Sequence, residues 1–424
     1  MVYYWVETAL CTPVSEKSAA KHNRQEQVRM QITEKRRILF TDAALYDITT
    51  RTFLPGALLC EEGVIRAVLK PYETVQDAQV HSLGGKRVIP GLVDVHTHGR
   101  IGYDFIDASA AQLQKMRRAY ALCGTTTVLP TLASAPYAQM LEAVRRIRQA
   151  GFDGAHIEGR YLSPARRGAH APELLSPPSA AEAKEFFDAA QGGLLHFTLA
   201  PELDGAAEMI RAICAMGGTC SVGHSDASYE QAKAAEALGC TGYTHLYNCM
   251  PPMHHRAPGC AVAALEGEGY CEIICDGFHL HPAVVRLTKR QKRQDRLVLI
   301  TDSLSAAGCA DGEYSIAGIG VTVKDGKALN REGHIAGSTI SLFEGLCRFM
   351  RFCEITLEEA LPYATINAAK SVGLDAVCGA LRAGCRADFL VLENETNAAG
   401  DPVIAGVFCG GEEIREERTL ADHG

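Results

Sequence analysis

The sequence has neither a long apolar run nor an excess of basic residues. No window approaches the roughly 18 apolar residues that a membrane-spanning helix requires, and no basic segment with an apolar core opens the chain as in a secretory signal. Lys and Arg number 42 against 50 Asp and Glu, which gives a formal net charge of −8, whereas nucleic-acid binding needs a basic surface. We therefore expect neither a membrane nor a nucleic acid as a partner.

Closely spaced cysteine pairs are absent as well. The sixteen cysteines are scattered along the chain, and no two of them form a Cys-x-x-Cys pair. Scattered cysteines without a secretory signal are typical of reduced thiols and not of a disulfide scaffold. The sequence thus predicts a cytoplasmic protein, and its 47% hydrophobic and 22% charged residues are those of an ordinary globular chain.

The 424 residues are enough for one large domain and a small partner domain. The stretch Ser15–Arg37 is polar, with mixed charge and no apolar periodicity, so we expect residues 1–36 to be a disordered extension. Short strands punctuated by Gly, Asp and Pro fill residues 37–86, and the same pattern returns over residues 380–424. We predict a small β-sandwich domain built from both chain ends, beside a larger unit over residues 87–379.

Strand-like apolar runs alternate with helical patterns over the middle of the chain. The eight runs are Val88–His98, Thr125–Pro130, Gly154–Glu158, Leu194–Ala200, Thr219–Gly223, Gly242–His245, Cys271–Asp276 and Leu297–Asp302. Such alternation predicts a parallel sheet, and eight units over roughly 250 residues fit a closed (β/α)8 barrel of TIM-like architecture in the α/β class. An open doubly wound sheet is the alternative, but a glycine-rich loop usually follows its first strand. Here that position holds His96-Thr97-His98.

Side chains that can bind metal stand at the ends of these runs. His96 and His98 lie two residues apart and therefore point to the same side of a strand. Further candidates stand at the ends of later runs or just after them, namely Glu158, His224, His245, His279 and Asp302. Barrel enzymes carry their reactive groups at the carboxyl ends of strands, so we expect a divalent metal site there. Histidine and carboxylate ligands without cysteine suit Zn, Fe, Mn or Co, with an open position for a water of lowered pKa.

Asp302 is the candidate general base. A carboxylate beside the metal accepts the proton of the attacking water and passes it to the leaving amine. A helix N-cap is the structural alternative, for which Ser303 and Ser305 compete. We predict the catalytic role, because the end of the eighth strand faces the mouth of the barrel.

Taken together in their order and spacing, the motifs resemble the amidohydrolase superfamily, and within it the N-acetylglucosamine-6-phosphate deacetylases. The resemblance runs from about residue 38 to the C-terminus. It rests on Pro90–Gly99, Gly124–Thr131, His156–Gly159, Gly168–His170, Ala200–Glu202, Gly223–Ser225, Thr244–Pro251, Asp276–His279, Thr301–Asp302 and Ile335–Ser338. It implies metal-dependent deacetylation of N-acetyl-D-glucosamine 6-phosphate to D-glucosamine 6-phosphate and acetate in amino-sugar catabolism. It also implies a homodimer whose small-molecule partner is a phosphorylated amino sugar.

The same resemblance implies a role for each matched residue. Glu158, His224 and His245 match the main metal ligands. His96 and His98 match second-metal positions, and Asp302 matches the catalytic acid/base, with a metal contact as a further role. One or two divalent ions per subunit are thus expected, with zinc first among the candidates. His170 matches the residue that hydrogen-bonds the acetyl carbonyl. The remaining substrate contacts implied by the family are Ala169, Asn248, Cys249, Arg256 for the phosphate, His279, Ile335, Ala336 and Gly337.

Three departures from the family pattern leave room for a shifted substrate such as the galactosamine epimer. Arg160 stands where the family usually has proline, Cys249 where it commonly has alanine, and Ser303-Leu304 follow the catalytic aspartate. N-acetylgalactosamine-6-phosphate deacetylation is therefore the near alternative.

Two more distant functions fit the sequence less well. Cyclic amidohydrolases usually bridge their metals with a carboxylated lysine after the fourth strand, where this chain has Leu199–Glu202 and no lysine. A catalytically silent sugar-phosphate-binding protein would have no use for Asp302.

Overall fold

Alternating strands and helices build a parallel barrel from the middle of the chain. The computed structural model of the protein describes residues 37–316 and 318–415, so the predicted extension over residues 1–36 lies outside the described residues. Eight strands pair in parallel in the order of the sequence. From first to eighth, these barrel strands are Leu92–Thr97, Thr125–Ala133, Gly154–Glu158, Leu194–Leu199, Thr219–Val222, Gly242–Tyr243, Tyr270–Ile274 and Leu297–Ile300. The prediction of a (β/α)8 barrel is confirmed.

The barrel closes just beyond the first and eighth strands. The backbone N–H of Asp302 donates to the carbonyl of His96 over 2.9 Å, and Thr97 pairs in parallel with Ser303. Closure therefore places the candidate base directly beside the His96-Thr97-His98 motif, although about two hundred residues of chain separate them.

Helices cover the outside of the barrel. In the helix Tyr137–Gln149, the buried residues Met140, Ala143, Val144 and Ile147 recur at the spacing of one helical face. The α-helices are Ala110–Leu122, Tyr137–Gln149, Ala180–Ala190, Ala206–Ala215, Tyr229–Leu238, Gly259–Glu266, Pro282–Gln291, Leu342–Cys353, Leu357–Ala360 and Ile366–Ser371, with 3-10 turns at Pro164–Arg166, Pro172–Leu174, Gln294–Arg296 and Leu361–Ala364. Within the described ranges, no helix is long and apolar enough to cross a membrane.

Both chain ends contribute to one further sheet, as predicted. Phe389–Leu392 pairs antiparallel with Arg87–Pro90, which joins the C-terminal strands to the N-terminal ones. Through this pairing, the strands of both chain ends belong to one hydrogen-bonded seven-stranded sheet, which forms the small β domain expected from the sequence. Its members are Arg37–Asp47, Thr52–Glu61, Val64–Leu69, Gln79–Pro90, Phe389–Thr396, Pro402–Cys409 and Glu412–Ile414.

The run Val88–His98, predicted as one strand, is divided at Gly91. Val88–Pro90 ends a strand of the seven-stranded sheet, and Leu92–Thr97 begins the barrel. A Cβ at Gly91 would come within 2.0 Å of the Thr126 hydroxyl. Only glycine permits this close approach, so the junction between the two sheets requires it.

A three-stranded antiparallel sheet, which the sequence did not reveal, follows the last barrel strand. It comprises Gly312–Ile316, Ile319–Lys324 and Lys327–Asn330. Its Val321, Val323 and Ala328 pack in one apolar cluster with Leu304 and Ala336. The insertion thereby holds the loop Ile335–Gly337 against the segment that follows Asp302. A short two-stranded pair, Gly99–Arg100 with Tyr103–Asp104, extends the first barrel strand.

Candidate active site

Six side chains from five strand ends converge in the mouth of the barrel. They are His96 and His98 from the first strand, Glu158 from the third, His224 from the fifth, His245 from the sixth and Asp302 from the eighth. Three of them, His224, His245 and Asp302, have positive φ angles of 47°, 29° and 49°. This conformation is strained for residues other than glycine and concentrates at functional sites.

Glu158 lies at the centre of this cluster and is almost fully buried. Its Oε1 is 3.2 Å from His224 Nε2 and 3.0 Å from His245 Nε2, and its Oε2 is 3.0 Å from His98 Nε2. The Nε2 atoms of His224 and His245 are themselves 3.0 Å apart. The structure therefore brings the three predicted main ligands together, with His224 and His245 both contacting the Glu158 carboxylate.

Asp302, which follows the eighth strand, contacts the two histidines of the first strand. Its Oδ1 is 3.2 Å from His98 Nε2 and 3.5 Å from His96 Nε2. Burial raises the pKa of the Asp302 carboxyl, but the charges of His96 and His98 outweigh burial and lower that pKa to about 2. The carboxyl is thus ionised at neutral pH. The N-cap alternative fails, because the described chain runs from Asp302 through turns into the strand Gly312–Ile316 without a helix.

The donor set fits a divalent cation. Ligand atoms of His96, His98, Glu158 and Asp302 all lie within 4.8 Å of one another, and so do those of Glu158, His170 and His224. His96 Nε2 is buried and has no hydrogen-bond partner in the described part of the chain, although Glu158 Oε1 is 3.3 Å away. A buried imidazole nitrogen close to a carboxylate but without a hydrogen bond to it fits a site for a shared cation, and mixed nitrogen and oxygen donors suit a divalent metal.

The electrostatics of the cluster favour positive charge. Burial lowers the pKa of His98, but hydrogen bonds to Asp302 and Glu158 raise it to about 9. The carboxylates thus hold protons on the imidazoles until a metal ion replaces them, because His ligands bind metals only when neutral.

One cavity brings the predicted substrate residues next to the cluster. Apart from His96 and Arg256, every predicted site residue lines it, and Gly168 completes its wall. Gly168 has φ 57°, and a Cβ there would come within 2.7 Å of Cys249 Sγ. This glycine therefore makes room for the cysteine that departs from the family pattern.

Arg256 lies outside this cavity. It is exposed, and its Nη1 is 2.7 Å from His255 Nε2. His279 lines the cavity, with its Nδ1 2.6 Å from Asp276 Oδ2. The described cavity wall contains no Lys or Arg, so the phosphate role of Arg256 stays a prediction.

Two residues near the site were not predicted. Glu272 is a buried carboxylate inside the seventh strand, and Ser134 is a buried serine directly after the second. Glu272 could have been found from the sequence, because it is the one charged residue in the otherwise apolar strand Tyr270–Ile274. No sequence pattern marked Ser134, which reaches the site only through the folding of the loop that carries His170.

The site and fold place the chain among metal-dependent hydrolases with barrel architecture. The Amidohydrolase family model matches residues 87–414, and the chain belongs to this family. This result confirms the predicted hydrolase class.

The particular relatives sharpen the comparison. An N-acetylglucosamine-6-phosphate deacetylase from Vibrio furnissii is 34% identical, covering 79% of this chain and 86% of its own. An N-acetylgalactosamine-6-phosphate deacetylase from Escherichia coli O157:H7 is also 34% identical, covering 78% of this chain and 89% of its own.

Solved structures agree with this result. A mutant N-acetyl-D-glucosamine-6-phosphate deacetylase from Mycobacterium smegmatis in complex with N-acetyl-D-glucosamine-6-phosphate has a TM-score of 0.81 and 32% identity. It covers 90% of this chain and 100% of its own. The Pasteurella multocida enzyme of the same name also has a TM-score of 0.81, with 30% identity and coverage of 89% and 99%.

Proposed function

We propose that the protein hydrolyses N-acetyl-D-glucosamine 6-phosphate to D-glucosamine 6-phosphate and acetate, as a step of amino-sugar catabolism. The observation that carries this proposal is the convergence of Glu158, His224 and His245 with an ionised Asp302 at one edge of a cavity. Such an arrangement serves amide hydrolysis. The names of the relatives support the gluco substrate. Because the Escherichia coli relative is named for the galacto epimer, that epimer is the substrate to test beside it.

Glu158, His224 and His245 would hold the first divalent ion, for which zinc is our proposal. His96 and His98, with Asp302 nearby, would hold a second. When bound, a divalent cation lowers the pKa of a coordinated water and polarises a carbonyl group.

Asp302 moves the proton of the reaction. Its carboxylate accepts a proton from the water that attacks the acetyl carbonyl carbon. It then delivers this proton to the amide nitrogen as the carbon–nitrogen bond breaks, so that the amino sugar leaves as an amine. The lowered pKa of Asp302 keeps the acceptor form populated before attack.

The remaining cavity residues would orient the substrate. His170 would donate to the acetyl oxygen as negative charge develops there. Ala169, Asn248, Cys249, His279 and the turn Ile335–Gly337 would contact the sugar phosphate. Arg256, on its exposed loop, would bind the phosphate across the contact between two copies of the chain, which makes the homodimer part of this proposal. The fifteen described cysteines are free thiols, which supports the cytoplasm as the compartment.

The decisive experiment compares substrates on one metal-analysed sample. Acetate release is measured from N-acetylglucosamine 6-phosphate, from its galacto epimer and from unphosphorylated N-acetylglucosamine. We expect the largest kcat/KM for the gluco phosphate. A larger kcat/KM for the galacto epimer would make N-acetylgalactosamine 6-phosphate the substrate. Metal-loaded protein that binds both sugar phosphates without releasing acetate would be a binding protein and not an enzyme.

A further inference from the structure

Ser134 contacts His170 through two polar atoms at once. It directly follows the second barrel strand, Thr125–Ala133, and its side chain is buried. The backbone N–H of Ser134 donates to His170 Nδ1 over 3.2 Å. The Ser134 hydroxyl oxygen lies 2.8 Å from the same Nδ1.

These two contacts determine which ring nitrogen carries the proton. A backbone N–H can only donate, so Nδ1 of His170 must present its lone pair. The Ser134 hydroxyl must then donate to Nδ1 as well. The proton of the neutral ring is left on Nε2, the nitrogen on the side of Glu158.

A third group orients the hydroxyl. The backbone N–H of Arg160 donates to Ser134 Oγ over 2.9 Å. Because this donor occupies a lone pair of the oxygen, the hydroxyl hydrogen is free to point at His170. Arg160 has φ 76°. Proline could neither adopt this angle nor donate a hydrogen bond, so the contact requires another residue type at this position.

We propose that Ser134, oriented by the Arg160 backbone, is a positioning residue that holds His170 as an Nε2–H donor and excludes it from metal binding. His170 Nε2 lies 4.0 Å from Glu158 Oε2 and belongs to a ligand-like group with Glu158 and His224. A protonated Nε2 has no lone pair for a metal, but it can donate to a developing oxyanion. Only the identity of that acceptor, the acetyl carbonyl oxygen, rests on the proposed function.

The charge state of His170 is compatible with this role. Burial and the nearby His224 lower the pKa of His170 to about 3. The ring therefore stays neutral near neutral pH and exists as one of two tautomers, with its proton on Nδ1 or on Nε2.

The first test needs no substrate. Nitrogen-15 NMR of histidine-labelled full-length protein is recorded without metal and after adding Zn²⁺, with His170→Asn to assign the signals. We expect the His170 proton on Nε2 in both samples. A proton on Nδ1 in either sample would overturn the proposal, and a shift to Nδ1 with Zn²⁺ would make His170 a ligand.

The second test separates positioning from packing. Ser134→Ala should lower kcat about tenfold, with KM changed less than about twofold, because the lost hydrogen bond acts on a group that matters most in the transition state. Ser134→Thr keeps a hydroxyl and should recover most of kcat.

Ser371→Ala is the matched control, since it also removes a buried hydroxyl that makes one short hydrogen bond, to the Ala368 carbonyl. Equal kcat values for the Ser134 and Ser371 variants would refute the positioning role. A parent protein that releases no acetate would instead refute the proposed function, and the NMR result would still decide the tautomer.

Discussion

His96 Nδ1 lies 3.1 Å from Glu272 Oε2, and both side chains are buried in the barrel. The same carboxylate oxygen accepts the backbone N–H of His245 over 3.2 Å. When the His96 ring is neutral, an Nδ1–H that donates to Glu272 leaves the Nε2 lone pair directed at Glu158 and Asp302. A carboxylate behind a histidine is a common way to orient a metal ligand.

Replacing Glu272 should therefore weaken metal binding. We expect Glu272→Gln to lower the affinity for the ion at His96 and His98 by about tenfold or more, since partners of this kind contribute such factors. Metal titration with elemental analysis measures the affinity and the number of ions per chain. Glu236→Gln is the control, because Glu236 is a carboxylate bonded to Tyr243 and Lys233 elsewhere on the barrel. An unchanged affinity would remove Glu272 from the metal site.

Asp302→Asn should separate metal binding from turnover. The amide keeps the shape of the side chain but cannot accept the proton of the attacking water. We expect turnover to fall by about 10²–10⁴-fold, the usual contribution of a general base, while elemental analysis finds the metal retained. Normal turnover in this variant would show that another group is the base.

Arg256→Ala should affect only phosphorylated substrate. A charge-assisted bond from a guanidinium to phosphate is stronger than a neutral one, so we expect KM for N-acetylglucosamine 6-phosphate to rise about tenfold or more. The kinetics of unphosphorylated N-acetylglucosamine should stay the same. Arg145→Ala, on the exposed side of the helix Tyr137–Gln149, is the control. An equal loss with both sugars would mean that Arg256 does not bind phosphate.

The buried His196 should make the folded state sensitive to mild acid. Its imidazole bonds to Thr219 and Ser221 inside the barrel, and burial lowers its pKa to about 4. Between pH 6.5 and about 4, the unfolded chain binds a proton at His196 that the folded chain does not, so the stability falls as the pH falls. The folded state should lose about 2 kcal/mol from this residue between pH 7 and pH 5.

Urea unfolding at pH 7 and at pH 5 measures this loss. His196→Gln should show a smaller decrease than the parent, whereas His81→Gln, at an exposed position, should show the same decrease as the parent. Equal pH dependence in the parent and the His196 variant would contradict the assignment.

Most of the barrel could be predicted because its signals are local. Apolar runs at Gly154–Glu158 and Leu194–Leu199 and a periodic helix such as Tyr137–Gln149 depend on neighbouring residues alone. The convergence of the candidate ligands could be predicted for the same reason, since each stands at or just after the end of a run. The three-stranded insertion after residue 311 was missed, because its strands are short and mixed in polarity.

The direction of the Arg160 side chain could not be predicted from the sequence. The sequence left open whether its charge approaches the metal or points away. In the structure its guanidinium lies 4.9 Å from the centre of the Tyr137 ring and 3.4 Å from Glu182 Oε1. Its guanidinium therefore pairs with Glu182, while its backbone N–H reaches toward His170 through Ser134.

The sequence by itself determined the barrel, the order of its strands and the residues that end them, because hydrophobic periodicity and strand-end position are properties of the linear chain. Only the tertiary structure decided which nitrogen of each histidine faces the site. That choice depends on donors and acceptors, Glu272 behind His96 and Ser134 behind His170, that come from other strands and meet the rings only when the barrel closes.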